Sequence, residues 1–396
     1  MITLGIETSC DETALALLET RKQGNDYECR VIASLVHSQA ELHSAYGGVF
    51  PTLAKREHGK NIVPLLHKLL LEAGFGNVVT MDTASSVEQF RAEIAPQNPE
   101  LFESFLHADF LANKPPIDRI AVTEGPGLEP ALWVGINFAR MLGALWQVPI
   151  IPVDHMEGHI FGSLLPSDTS NGAWQKLYEL PLPAIALLIS GGHTELVKVS
   201  GFGKYEIMGA TLDDAVGEAF DKTARLLGLP YPGGPHISEL AQMAAEEKIS
   251  SPVKLPRPMI ASGNLDFSFS GLKTAVLYAV RAAAKSPDAK LPEDFKKGLA
   301  LEFETAVSDT LDSKLRKAID QIGAKSIIVG GGVSANRTLR ARFEATAKEY
   351  SIPVFLPSRH ISGDNALMIA IAGSMRDAKT PGEIRAQGTK HLGETI

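Results

Sequence analysis

Ala184-Ile-Ala-Leu-Leu-Ile189, Ser190-Gly-Gly-His193 and Thr194-Glu-Leu-Val-Lys-Val199 read as a strand, a tight turn and a strand, with a third strand at Tyr205-Glu-Ile-Met208. The apolar runs are short and closed by glycine and polar residues, which suits buried strands better than helices. The same order stands at the start of the chain. Leu4-Gly-Ile-Glu-Thr8 is a strand, Ser9-Cys-Asp-Glu-Thr13 a polar turn, Ala14-Leu-Ala-Leu-Leu18 a strand and Arg30-Val-Ile-Ala-Ser-Leu-Val36 a third. The elements after each trio also match. In the first half a helix over Lys55–Gly74 leads to a strand at Arg119–Thr123, a helix over Pro130–Trp146, a strand at 150–154 and a further helix. In the second half helices near 213–227, 235–248, 271–285 and 293–322 lead to a strand at Ser326–Val329, a helix over Ser334–Tyr350, a strand at Pro353–Leu356 and a helix over Asn365–Met375. A three-strand meander continued by αβαβα therefore occurs twice, a repeat of topology and not of sequence.

The expected fold is α/β and two-lobed, with the first hairpin turns facing a cleft. By analogy it is the plan of the actin, sugar-kinase and Hsp70 superfamily, a ribonuclease H-like repeat. The expected division is residues 1–154 for the first lobe, 155–376 for the second and 377–396 for a polar tail. Residues 77–114 mix small, acidic and Pro/Asn-rich runs with one weak helix near 98–111 and read as a surface insertion; 166–182 read as a shorter one.

The 396 residues are 44% hydrophobic and 21% charged, an ordinary globular balance. Two cysteines, Cys10 and Cys29, are too few for a disulfide framework and fit a reducing, cytoplasmic setting. No apolar run reaches the ~18 residues a membrane helix needs, and the N-terminus enters a strand with no targeting segment before it. The net charge of −8 argues against a general polyanion binder, so a nucleic-acid surface would have to be local or shared. A candidate basic patch is Lys55, Arg56 and Lys60, with His58 between them.

His155-Met-Glu-Gly-His159 comes directly after the strand Pro149–Asp154. Histidines at i and i+4 share one helix face, so both imidazoles can reach one ion. A strand's C-terminal end is also where ligands sit in open α/β sheets. An isolated pair of this kind is usually two ordinary histidines, and only the rest of the chain decides. Glu157 is two residues after His155 and points about 200° round the helix from it. A metalloprotease helix of the His-Glu-x-x-His kind is thus excluded, and no Gly-x4-Gly-Lys-Ser/Thr loop is present. Ser190-Gly-Gly-His-Thr194 and Gly330-Gly-Gly-Val-Ser-Ala-Asn336 are turns whose backbone N–H groups can approach an anion, or simply tight connections. Asp364 can cap the last helix or join the histidines as a third ligand. Asp221 can be a solvated charge or can hold two ribose hydroxyls. Asp11 and Glu12 are turn residues that could accept a proton beside a metal.

Together, Gly5-Ile-Glu-Thr-Ser-Cys-Asp-Glu-Thr13, His155-Met-Glu-Gly-His159, Ser190-Gly-Gly-His-Thr194, Ala219-Phe-Asp-Lys222, Tyr231-Pro-Gly-Gly-Pro235, Gly330-Gly-Gly-Val-Ser-Ala-Asn-Arg337 and Asp364-Asn-Ala resemble, over nearly the whole chain, the TsaD/Gcp family. Members transfer threonylcarbamoyl from threonylcarbamoyl-adenylate to N6 of the adenosine just after the tRNA anticodon. The resemblance implies His155, His159 and Asp364 as ligands of one divalent metal ion, iron or zinc. It implies Leu188, Ile189, Ser190, Gly191 and Gly192 at the acyl-phosphate of the substrate, and Asp221, Gly234 and Asn336 at its adenosine. It further implies tRNA as substrate and TsaB-like and TsaE-like partner proteins. The chain departs from the family at 77–114 and at Glu129-Pro130, where small residues are usual. The rival readings are an ATP-dependent kinase of the same superfamily, which predicts a catalytic Asp near a sugar pocket and no transition metal, and a non-catalytic nucleotide-binding scaffold, which predicts nucleotide binding with no tRNA modification.

Overall fold

The computed structural model describes residues 1–23, 26–76, 88–166, 172–284, 290–376 and 384–393. The chain divides into two compact units, Met1–Glu179 with Asp364–Ile396, and Leu180–Gly363.

The first unit is built on the strands β1 (Ile2–Glu7), β2 (Glu12–Gln23), β3 (Asp26–Ser38), β4 (Arg119–Gly125), β5 (Ile150–Asp154) and β6 (Gln175–Lys176). They lie in the order β5-β4-β1-β2-β3-β6. β1, β2 and β3 are antiparallel neighbours, with Leu4 opposite Leu17 and Leu15 opposite Leu35, while β4 and β5 add in parallel beyond β1. The second unit repeats this with β7 (Ala184–Ile189), β8 (Thr194–Gly201), β9 (Lys204–Ala210), β10 (Ser326–Gly330) and β11 (Val354–Phe355), in the order β11-β10-β7-β8-β9. A meander of three strands with two parallel strands added beyond its first member is the ribonuclease H-like order, so the doubled α/β plan expected from the sequence is the plan of the molecule. β1 and β7 are buried along almost their whole length, as central strands covered on both faces must be.

The unit boundary differs from the expected 154/155. The helix His155–Gly162 and the last helix, Ala366–Ser374, belong to the first unit. Their glycines explain the return of the chain end. A Cβ on Gly5 would collide with the Ala366 carbonyl oxygen, and one on Gly373 with Ala121, so the helix lies directly against β1 and β4. Gly158 and Gly162 open the face of the histidine helix toward Met368 and Ile369 in the same way. The helix Ala366–Ser374 is apolar all round, which suits a position buried on every side.

The surface excursion expected at 77–114 is only partly that. Of these residues, 77–87 lie outside the described ones. The rest forms the helices Arg91–Ile94 and Pro99–Leu106 and a short 3-10 turn, Asp109–Ala112. Ile94, Leu101, Phe102, Phe105 and Leu111 are fully buried in the core of the first unit, and the Trp146 indole donates to the Leu111 carbonyl at 2.9 Å. This part is core because its apolar residues recur at helical spacing behind Pro99, a good first helical residue. Glu129-Pro130 likewise opens the helix Glu129–Trp146, where an acid and a proline suit the first turn. The expected polar tail is partly docked: Gln387 N donates to the Glu124 carbonyl at 2.8 Å, Lys390 pairs with Glu124, and Ile384 and Leu392 are buried.

The helix Pro51–Glu72 carries the expected basic patch, but His58 faces the core and is fully buried. Arg56 lies 3.5 Å from Glu100 and Lys60 2.7 Å from Glu57, so neighbouring acids offset the patch. Burial holds the His58 imidazole down to about 4 from its ordinary 6.5. Both folded and unfolded chains carry it neutral above pH 6.5, so its stabilising environment is fully available there. As the pH falls from 6.5 to 4 the unfolded chain takes the proton first and stability is lost, by roughly 3 kcal/mol over that shift. Denaturant unfolding between about pH 7 and pH 4 is expected to show a steeper loss in the wild type than in His58→Gln. Parallel pH curves would show that this histidine is not the cause.

Candidate metal centre

Asp154 ends β5 and caps the next helix, its Oδ1 accepting from Met156 N at 2.9 Å and Glu157 N at 3.1 Å. The cap fixes the helix start at His155, so His155 and His159 stack one turn apart on one face. Their rings are 4.7 Å apart between centroids, at 81° to one another. Asp364, two residues before the helix Ala366–Ser374, reaches the same point, with Oδ1 3.5 Å from His155 Nε2 and 3.3 Å from His159 Nε2. Ligand atoms of all three residues lie within 4.8 Å of one another.

These residues fit a metal ion on three observations. First, ligand atoms ~2.1 Å from a tetrahedral ion are about 3.4 Å apart, close to the two distances from Asp364. Second, His159 Nε2 is buried and has no hydrogen-bond partner among the described residues, a costly state for such an atom. Third, the other face of His155 is already committed. Its Nδ1 lies 3.0 Å from Glu7 Oε2 and 3.2 Å from Ser9 Oγ. The Glu7 contact requires the hydrogen on Nδ1 and turns the Nε2 lone pair toward His159 and Asp364.

Glu7 does not stand out in the sequence. It is fully buried at the end of β1 and accepts from Ser9 N at 2.5 Å and Thr123 Oγ1 at 2.7 Å besides His155. Burial alone would raise its pKa, but the His155 charge and hydrogen bond hold it below its ordinary value. The available signal is an acid inside an apolar strand, which needs a buried partner. In the ion-free protein burial works to lower the pKa of His155, yet Asp364 and Glu7 raise it to about 9. Glu12 is pushed up to about 10 by burial, then by Asp364 and Asp11. A cation at the three ligands answers both shifts, replacing the proton on His155 and offsetting the carboxylate charge beside Glu12.

The substrate-facing residues implied by the resemblance all lie in the second unit. Leu188 and Ile189 are fully buried in β7, so only their backbone can meet a ligand. Gly191 and Gly192 carry no obstruction, since a Cβ on either would meet nothing within 4 Å. The turn they form abuts the N-terminus of the helix Val216–Leu226, where Gly217 N donates to the Ser190 carbonyl at 3.2 Å. Gly331, at φ 91°, packs against the Ile189 backbone, which joins the two glycine turns. Asp221 Oδ1 accepts from Gly233 N at 2.7 Å at the start of the helix Gly233–Glu247, beside the open Gly234. Asn336 Oδ1 caps the helix Arg337–Tyr350 through Leu339 N at 2.9 Å, and its Nδ2 donates to Ser238 Oγ and Glu304 Oε1 at 2.7 and 2.6 Å. Buried Glu304 also accepts from Thr338 Oγ1 at 2.6 Å; in the sequence it reads as one charge on a long helix, which hides its part here. Asn336 is thus placed to shape this end of the unit more than to offer a spare amide.

Fold and site define a class: a protein of two ribonuclease H-like units with a three-ligand candidate cation centre in one and glycine turns open to a ligand in the other. The sequence pattern of TsaD, tRNA N6-adenosine threonylcarbamoyltransferase, matches residues 30–78 and 103–371. The chain is 42% identical over 385 residues to the tRNA N6-adenosine threonylcarbamoyltransferase of Burkholderia mallei (strain ATCC 23344), covering 97% of this chain and 94% of that one. It is 41% identical over 376 residues to the enzyme of that name from Chromobacterium violaceum, covering 95% and 93%. The chain belongs to the TsaD family. The break in the pattern, 79–102, narrows the expected insertion to its first two thirds. Among solved structures, full-length HypF in its phosphate- and nucleotide-bound form matches with a TM-score of 0.48 at 11% identity, over 94% of this chain and 46% of that one; the fold assignment rests on the strand order instead.

Proposed function

We propose that the protein transfers the threonylcarbamoyl group of threonylcarbamoyl-adenylate to N6 of the adenosine just after the tRNA anticodon, releasing AMP. The observation that carries this is the convergence of His155, His159 and Asp364, oriented by Glu7, in a chain of the TsaD family. The N6 amine attacks the carbamoyl carbonyl, a C–N bond forms, the C–O bond to phosphate breaks and AMP leaves with the electron pair. That amine is a weak nucleophile, so positioning and charge stabilisation carry the rate. A divalent ion, iron or zinc, held by the three ligands would supply Lewis acidity. The backbone of Ser190, Gly191 and Gly192 holds the acyl-phosphate, and Asp221 with Gly234 and the Asn336 cap holds the adenosine. Asp11 or Glu12 accepts the amine proton. TsaB-like and TsaE-like proteins assist, since the acidic chain alone presents a poor surface to a polyanion.

Incubation with tRNA, threonine, bicarbonate, ATP and an adenylate-forming enzyme is expected to yield N6-threonylcarbamoyladenosine on nucleoside analysis. No modified nucleoside with all components present would overturn the reading. Asp221→Asn is expected to weaken adenylate binding by about 1–3 kcal/mol, because an acceptor becomes a donor facing hydroxyls. Unchanged affinity by calorimetry would make Asp221 a structural residue that holds the Gly233 turn.

A further inference from the structure

The turn carrying Asp11 and Glu12 is tied to an exposed aromatic loop by a buried chain of hydrogen bonds. Phe50 N donates to His43 Nδ1 at 3.3 Å, so Nδ1 accepts and the ring hydrogen sits on Nε2. That Nε2 lies 3.2 Å from Gln39 Oε1, and Gln39 Nε2 lies 3.3 Å from His58 Nδ1. An amide nitrogen only donates, so His58 Nδ1 accepts, as it can from Thr13 Oγ1 at 2.7 Å. His58 Nε2 then donates to the Cys10 carbonyl at 3.0 Å, next to Asp11. Gln39, His43, His58 and Thr13 are all buried, so the chain is a fixed strut between the two loops.

At the outer end of the strut stand Tyr46 and Phe50, 64% and 53% exposed. Their rings are 6.0 Å apart and stacked at 24°. Between them Gly47, at φ 68°, makes a turn that favours glycine, and Tyr46 N and Gly48 N both bond to the His43 carbonyl, at 2.9 and 3.4 Å. Two large exposed rings on one anchored loop are unusual on a surface with no task. Flat π-faces of this size match a nucleobase, and unpaired bases of RNA loops are bound by stacking on such rings. The acidic turn at the inner end of the strut disfavours phosphate, which directs recognition to a base.

We propose that Tyr46 and Phe50 form a stacking platform for an unpaired RNA base neighbouring the target adenosine, anchored to the Asp11–Glu12 turn through His43, Gln39 and His58. This rests on tRNA being the substrate. The test uses the full-length protein and an anticodon stem-loop RNA with 2-aminopurine in place of the base next to the target adenosine. The wild type and the ring-conserving variant Tyr46→Phe/Phe50→Tyr are expected to quench its fluorescence by stacking. Tyr46→Ala/Phe50→Ala is expected to lose the quench and to bind on the order of 10- to 100-fold more weakly, with metal content unchanged. Equal quench and affinity in the double alanine variant would overturn the platform. So would unchanged RNA binding coupled with lost association of a protein partner, which would make the loop a protein-docking face. If the wild type modifies no tRNA in the nucleoside assay, the functional reading fails instead, and the quench still reports on the platform by itself.

Discussion

His159→Ala is expected to purify with the metal absent and to lose transfer activity with it. His159 is the candidate ligand with least else to do: its Nε2 has no hydrogen-bond partner among the described residues, and Asp364 Oδ1 is 3.3 Å away. Removing it leaves His155 and Asp364, and two monodentate protein ligands hold a divalent ion poorly. Changes in the groups around a metal's ligands cost 10–100-fold in affinity, so loss of a ligand is expected to exceed about 100-fold. The fold is expected to survive, because the Asp154 cap and the contacts of Gly158 and Gly162 with Met368 and Ile369 do not involve the imidazole. Metal analysis of the purified variant and nucleoside analysis of its product provide the check. Full metal occupancy would remove His159 from the ligand set. His155→Ala is expected to behave alike, and more severely, because it also leaves the buried Glu7 charge without its partner.

The candidate ligands themselves are legible because each stands in a local pattern: His155 and His159 at i and i+4, Asp364 just before an apolar helix. So is the doubled meander, whose strands and glycine turns are local signals. The features that escape the sequence depend on distant contact. Nothing near Ala366–Ser374 says that it will cross to β1 at the other end of the chain; that becomes clear only when Gly5 and Gly373 are seen to remove the side chains that would block it. The unit boundary is hidden for the same reason. Phe102 and Phe105 read as part of an excursion because the helix around them spans only eight residues, too few for its period to stand out. His58 looks like a member of a basic cluster, yet it sits on the helix face that carries Ala54, Ile62 and Leu66 into the core. Its neighbours in sequence point to solvent, and only the helical period separates them.

Glu7→Gln is expected to lower metal affinity by about 10- to 100-fold while the protein stays folded. The amide has the size of the carboxylate and keeps an oxygen for Ser9 N, now 2.5 Å from Oε1, while its nitrogen takes the place of Oε2, where the Thr123 hydroxyl, now 2.7 Å away, can turn to accept from it. What it loses is the negative charge facing His155 Nδ1 at 3.0 Å. That charge does two things for the ligand. It keeps the hydrogen on Nδ1, so that Nε2 offers its lone pair to the ion, and it makes the imidazole a stronger donor. With glutamine the tautomer is no longer enforced, and Ser9 Oγ, 3.2 Å from the same nitrogen, can accept or donate and so cannot enforce it either. Ser9→Ala is therefore expected to have a much smaller effect than Glu7→Gln. Metal titration of both variants in competition with a chelator, beside thermal unfolding of the metal-free proteins, separates ligand orientation from stability. Equal metal affinity in the wild type and Glu7→Gln would mean that the ring is oriented by packing alone, and the Glu7 carboxylate would then be a structural charge that happens to touch a ligand.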